Sequence, residues 1–485
     1  MLLGAKTFAQ PAEGKEWAVG YGPSVLVFEG DSTYNYRLDS SYEVLFLTTV
    51  ASMCDTEGKL MFFSNGVTLI NSKGDTIENG YNFHPPELEQ FYDGLANSSQ
   101  EALILPRGGG EYYYLHYSMS DYNWTHNKPF DLLYYSVVDM AANNNAGKVV
   151  QKCIPLLSNA TLAPYGLTAC RHANGRDWWL IMPETVKNSY YEFLVTPDSI
   201  YGPLHYDVST GFFGTVIPHG QCAFSNQGDA LATTNFDGGV KVMHFDRCNG
   251  VITPWLGLTV PYDSATQYGI GGCGTAFSAS GRFLYVNTFK KVYQFDLQDT
   301  NVQQSVLMVG QEDSGHYTMF DPMQIGPNGK IYISNFGGFS TSLNVIHKPD
   351  EKGLACNFVY CSDTIYGSAS VVGVPNVVNF ALGAQQGSGC DTLSEIRSVS
   401  SKEKVRVYPN PADDVLVIEI DNKNNSAGYL ELTDVWGQHV TRYNLLPLQQ
   451  KIQLSTADLL AGNYFYFLHW ENARRLAKGR FTVVH

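Results

Sequence analysis

A glycine-centred phrase recurs six times before Lys330, and its spacing restricts the fold more than any other feature of the chain. It reads CDTEGKLMFFSNG around Gly58, LPRGGGEYYYLHY around Gly110, RHANGRDWWLIMP around Gly175, FSNQGDALATTNF around Gly228, FSASGRFLYVNTF around Gly281 and IGPNGKIYISNFG around Gly329. Successive glycines lie 52, 65, 53, 53 and 48 residues apart. Each phrase predicts a hairpin, because Asn-Gly and Ser-Gly dipeptides tolerate the positive φ that tight turns demand, and Tyr, Phe, Leu and Val follow as a strand. A second polar turn and another strand come next, as in GGVKVMHFDRCNGVI (Gly238 to Ile252) and FKKVYQFDLQD (Phe289 to Asp299). A unit of about fifty residues with several short strands has the dimensions of a β-propeller blade.

The span from Trp17 to Phe380 holds nearly seven such units, so an all-β, seven-bladed propeller is expected, with six blades as the second choice. The seventh blade is expected to combine Asn357 to Phe380 with the early strands of Glu16 to Gly30, since closing a ring with both chain ends leaves only short edges. At 485 residues the chain exceeds what one ordinary core supports, which agrees with a modular body plus a smaller domain. Composition points the same way: 31 Tyr, 26 Phe and 46 Gly, with only 16% charged residues.

The formal net charge of −15 repels phosphate backbones and anionic lipid, and the one basic cluster is short (Arg474, Arg475, Lys478, Arg480), so no nucleic-acid partner is expected. No apolar run is long enough for a transmembrane helix. Residues 1–15 are expected to be a truncated signal peptide or a disordered leader. The nine cysteines form no metal-type spacing; if any pair, Cys248, Cys356 and Cys361, near turns, are the expected ones.

No nucleophile elbow, zinc-protease motif or phosphate loop is present, and the glycines of RGGG (Arg107 to Gly110) belong to a hairpin. Neither a cofactor nor a metal is expected. Segments entering the inner strands carry Tyr165, His172, His219, Tyr268, His316 and Asp321, which a central channel would bring together for metal binding or acid–base work. The simpler reading has them bonding backbone at blade junctions. The insertion from Ser120 to Val150, with Trp124 and His126, is read as an elongated hairpin or as a binding edge.

After Phe380 the composition changes. Residues 381–403 are small and polar and read as a flexible linker. From 404 to 485 short alternating strands predict a small antiparallel β-sandwich, with Leu416, Ile418 and Ile420 on one face and Ile452 and Leu454 inward. This module opens with VYPNPADDVLVIEI, whose Pro409 and Pro411 fix φ and end one strand before the next begins.

The module resembles the type A C-terminal sorting domain of type IX secretion cargo in Bacteroidetes. The resemblance rests on Tyr408-Pro409-Asn410-Pro411, then Leu432-Thr433-Asp434-Val435-Trp436-Gly437, Ile452-Gln453-Leu454, and Leu459 to Tyr464 with Gly462, in that order. The chain ends Val483-Val484-His485 where that family ends in Lys. The body, through GVPNVVNF (Gly373 to Phe380), is similar to uncharacterised surface propellers bearing such tails. The resemblance implies a translocon and a sorting peptidase as partners, and a protein that is secreted or attached to the outer-membrane surface after passing the periplasm. The body is then expected to be a binding or adhesion module for glycan or protein; a glycan-active lyase or hydrolase with a channel site is the alternative.

Overall fold

The computed structural model describes residues 14–20, 22, 24–38, 48–86, 88, 100–185, 188–208, 220–235, 239–261, 274–312, 318–336, 340–366, 371, 373–390, 406–419, 428–434, 439–446, 449–457, 459–470 and 473–484. The chain forms two compact units, Met1–Thr392 and Leu393–His485.

In the first unit seven antiparallel sheets follow one another along the described residues. Their leading strands are Glu16–Val19, Ala51–Cys54, Ala102–Gly108, Thr168–Arg171, Cys222–Phe224, Gly274–Phe277 and Met319–Ile325. The last five sheets have four strands each; the first two have three described strands. All six repeat glycines lie in the turn after a leading strand, and each has positive φ, from 72° at Gly228 to 92° at Gly58. The hairpin reading of the sequence phrase is therefore the local structure, and it marks where the second to seventh sheets start.

Apolar clusters link each sheet to the next and return to the first. Val25 and Val27 pack with Val50, Phe63 and Ile70. Phe62, Tyr114, Leu167 and Leu180 belong to one core across the second, third and fourth sheets. Ile181 and Tyr190 meet Leu231 and Phe245; Val240 and Val242 meet Leu284 and Phe295; Tyr285 and Val292 meet Ile331 and Phe320. The circuit closes where Trp17 and Phe28 pack on Tyr332, with ring centroids 5.7 and 5.4 Å away. This arrangement is a β-propeller, in which every sheet buries both faces against neighbours.

The closure differs in detail from the expectation. Phe358–Thr364 does not join the first sheet; it is the outer strand of the seventh, paired with Ser342–Ile346. What reaches the first sheet is the later stretch, in which Val371 and Val374 pack beside Trp17 and Val19 without strand pairing. The reason lies in the direction of Glu16–Val19. Ala18 N–H donates to Ser52 Oγ at 3.0 Å, and Cys54 Sγ–H donates to Glu16 O at 3.3 Å, so this strand runs opposite to Ala51–Cys54. Residues 373–380 lie beside the inner strands without joining a sheet, Asn376 N–H donating to Val50 O at 2.8 Å.

One buried carboxyl is unsatisfied at both of its oxygens. Glu192, on the strand Ser189–Val195, is inaccessible, and neither carboxyl oxygen has a partner among the described residues. Burial alone pushes its pKa up to about 9 from the ordinary 4.5. Between those two values the folded state holds a proton that the unfolded state has lost, so this group makes stability fall as pH rises through the window. Glu192→Met, of similar volume, is expected to raise stability by about 1–3 kcal/mol at pH 8 and hardly at all at pH 4. Paired denaturant titrations at the two pH values check this; equal gains at both would contradict the cause.

The second unit is a small sandwich. One sheet has the order Arg406–Tyr408, Val415–Glu419, Lys451–Ser455; the other has His439–Leu445, Gly428–Thr433, Gly462–Trp470, Ala473–Val483. Leu416, Ile418, Leu430, Leu432, Ile452, Leu454, Tyr464 and Phe481 fill the space between them. The period-two pattern read from the sequence is therefore the inward face, with Ile420 outside the described residues.

Candidate functional site

The centre of the first unit is built from carboxamide side chains. Gln221, just before the strand Cys222–Phe224, accepts through Oε1 from the backbone N–H groups of Thr275 and Met323, both at 3.0 Å, and donates through Nε2 to Met323 O at 2.6 Å. One side chain thus ties three successive inner strands. Gln100, just before Ala102–Gly108, reaches across the ring, its amide pairing with both Cys222 N–H at 3.0 Å and Cys222 O at 2.9 Å.

The stretch 373–390 completes the centre. Asn376, 6% exposed, donates to Ala102 O at 3.0 Å and Leu167 O at 2.8 Å, and its own N–H donates to Val50 O at 2.8 Å. It therefore reaches the second, third and fourth sheets. Val377 O accepts from Gln324 Nε2 at 3.1 Å, Asn379 donates to Asn226 O at 2.9 Å, and the Phe380 ring lies edge-on to Trp178 at 5.8 Å. A cavity of about 90 Å³ remains between this stretch and the inner strands, bordered by Thr168, Arg171, Gln221, Asn226 and Thr275.

The same stretch continues on the first unit past Phe380. Arg247 donates to Gly383 O at 2.6 Å, Gln385 N–H to Ala173 O at 2.8 Å, and Cys390 forms a disulfide with Cys248. Residues 381–390, expected as the start of a flexible linker, are thus bound down, because backbone groups and a covalent bond replace the missing apolar side chains. Cysteine pairing is corrected too: Cys248 pairs, but Cys356 is a buried thiol and Cys361 an exposed one. The partner is Cys390, whose small polar surroundings gave no sign of a fixed position.

Of the six channel candidates, His219, Tyr268 and His316 lie outside the described residues. The other three make separate local contacts. Tyr165 occupies a left-handed turn (φ 69°) and donates its N–H to Tyr117 Oη at 3.0 Å. His172 accepts from Asn174 N–H through Nδ1 and contacts Cys248 O at 3.0 Å through Nε2, so its ring fastens a hairpin to the neighbouring sheet. Burial lowers its pKa, which suits a neutral ring with Nε2 as donor. Asp321 has one carboxyl oxygen without a partner among the described residues, and burial raises its pKa to about 8. None of the three borders the central cavity. The insertion after Ser118 folds as a short helix, Asp121–Thr125, with Trp124 packed near Val67 and Leu88 and the exposed Tyr122 stacked on His126 at 4.2 Å. No cluster of three His, Cys, Asp or Glu suited to a metal occurs among the described residues.

In the second unit the motif has a structural role. Asn410 Oδ1 accepts from Thr482 N–H at 2.9 Å, Ala412 N–H donates to Thr482 O at 2.7 Å, and Val484 N–H donates to Ala412 O at 2.8 Å. The Pro409-Asn410-Pro411 turn therefore stitches the start of the module to its last strand. Tyr408 hydrogen-bonds Glu419, and Tyr464 donates to Leu460 O at 2.8 Å while stacking on Phe481. Asp434 follows the strand Gly428–Thr433, Gly462 opens the strand Gly462–Trp470, and Gly437 lies outside the described residues.

Comparison with known proteins gives the second unit its meaning. Residues 406–479 match the secretion system C-terminal sorting domain. The tail is thus a type IX sorting tail, which directs the chain to the cell surface or the medium through the secretion machinery. No curated protein matches the chain. Among solved structures, a 6-phosphogluconolactonase-like protein of Bacteroides fragilis is 13% identical, with a TM-score of 0.47 over 76% of this chain and 98% of that one. The periplasmic gluconolactonase of Pseudomonas aeruginosa is 14% identical, with a TM-score of 0.46 over 73% and 97%. PorZ, a surface component of the type IX secretion system of Porphyromonas gingivalis, is 12% identical, with a TM-score of 0.28 over 96% and 69%. No helix among the described residues is long and apolar enough to cross a membrane.

Proposed function

We propose that the protein is an exported surface propeller that binds a glycan or protein ligand, and that its centre is structural. The supporting observation is Asn376, which holds residues 373–380 to the inner strands of three sheets where a channel enzyme would bind its substrate. Catalysis requires acid–base groups that converge on an accessible reacting centre. The groups bordering the central cavity are mainly amides and hydroxyls already engaged with backbone. The domain plan within this reading is a body through Cys390, a connection between 391 and 405, and the sorting module after it. A sorting peptidase acts in that connection.

Full-length protein incubated with oligosaccharide and lactone panels is expected to bind without turnover. Turnover that is lost in Asp321→Asn would instead establish the enzyme reading.

A further inference from the structure

Resting on that reading, we propose that the ligand is a carbohydrate and that it binds in a groove along the hairpin ends of the first three sheets. The groove encloses about 620 Å³, within the range of small-ligand sites, and is bordered by Glu16, Tyr36, Asp55, Lys59, Tyr112 and Asn145.

Its parts are fixed before any ligand arrives. Glu16 Oε2 accepts from Leu60 N–H at 2.8 Å and from Tyr36 Oη at 3.1 Å, which orients a tyrosine ring that is 38% exposed. Tyr112 is braced edge-to-face by Phe62, with centroids 5.3 Å apart. Asp55 Oδ1 accepts from Glu57 and Lys59 N–H, both at 2.9 Å, setting the turn that projects Lys59. The Lys59 ammonium is exposed and has no partner among the described residues. At the opposite rim Asn143, Asn144 and Asn145 hold consecutive left-handed conformations, φ 52°, 54° and 63°. Asn143 is tied back to Glu78 and to Gly147 O, while Asn145 is exposed at the groove.

These groups select a ligand by chemistry. Tyrosine rings offer flat apolar faces with a polar edge, which match a pyranose with its C–H face and hydroxyl rim. A carboxylate, an ammonium and an amide supply both acceptors and donors, as a row of hydroxyls requires. Two carboxylates in a chain of net charge −15 oppose a polyanion. Leu60, Met61 and Met140 add apolar surface, but an apolar peptide laid over the ionised Asp55 and Lys59 would desolvate them without partners, whereas a hydroxylated ring would not.

The test uses the full-length protein on an array of neutral and acidic oligosaccharides, followed by calorimetry with the strongest binder. Tyr112→Ala is expected to weaken binding at least tenfold. Lys59→Glu, at an exposed position where folding is preserved, is expected to weaken it several-fold with an unchanged melting curve. A sugar bound equally by the parent and Lys59→Glu would place binding elsewhere and overturn the groove while leaving surface binding intact. An array with no bound sugar, or a protein ligand alone, would overturn the carbohydrate. Turnover of a bound sugar would overturn the non-catalytic reading instead.

Discussion

Asn376→Asp is expected to lower unfolding stability by at least about 3 kcal/mol at pH 7, more than any single surface change in the body. The substitution keeps shape and volume but turns a two-proton donor into an acceptor facing Ala102 O and Leu167 O, which now sit 3.0 and 2.8 Å from the amide nitrogen. Two buried hydrogen bonds are lost, and a carboxylate must either stay charged against two carbonyl oxygens or take up a proton. In the second case its folded pKa rises above the unfolded value. The deficit is then small below about pH 4 and grows as pH rises through the folded pKa. Asn379→Ala serves as a control, since its bonds to Asn226 lie at a part-buried site, and is expected to cost about 1 kcal/mol. Equal losses for the two variants at pH 7 would show that the centre is not held by Asn376.

The contrast between what the sequence disclosed and what it concealed follows from the range of each interaction. Hairpin turns are local: a Gly flanked by polar residues, directly after Asn or Ser at Gly175, Gly281 and Gly329, is visible within four residues, so all six repeated turns were legible. Inward positions in the sorting module were legible because a period of two marks one face, as at Leu416 and Ile418. The carboxamide clasp was not. Gln100 meets Cys222 across 122 positions, and Asn376 meets Ala102 across 274, and nothing local separates such amides from ordinary turn residues. His172 attracted notice for the converse reason: histidine suggests chemistry, yet its ring nitrogens are used by Asn174 N–H and Cys248 O. Strand direction was also hidden. The opposed course of Glu16–Val19 and Ala51–Cys54 shows only in long-range contacts, Ala18 with Ser52 and Glu16 with Cys54.

Removing Lys404 to His485 is expected to abolish delivery to the surface while leaving the body folded. Among the described residues, the bonds that close the ring and fill its centre lie before Thr392: the Trp17–Tyr332 contact, the Asn376 bonds and the Cys248–Cys390 disulfide. The sorting module, for its part, has its own core of Leu416, Leu430, Leu454 and Phe481, and its own tie between Asn410 and Thr482. Each unit therefore carries the contacts its fold requires, and the tail residues 406–479 carry the address. Truncated protein expressed in a type IX-competent host is expected in the periplasm, oxidised at Cys248 and Cys390, and melting within a few degrees of the full chain's first transition. The reciprocal experiment fuses Lys404 to His485 behind a signal peptide to a foreign globular protein, and surface delivery of the fusion is expected. A third chain, full length with Asn410→Ala, tests the stitch itself. Loss of the bond to Thr482 N–H is expected to loosen the last strand by about 1–2 kcal/mol and to cut surface delivery by more than it cuts folding of the body. Normal surface amounts of the truncated chain would instead make the second unit an accessory sandwich, and the address would have to lie within the propeller.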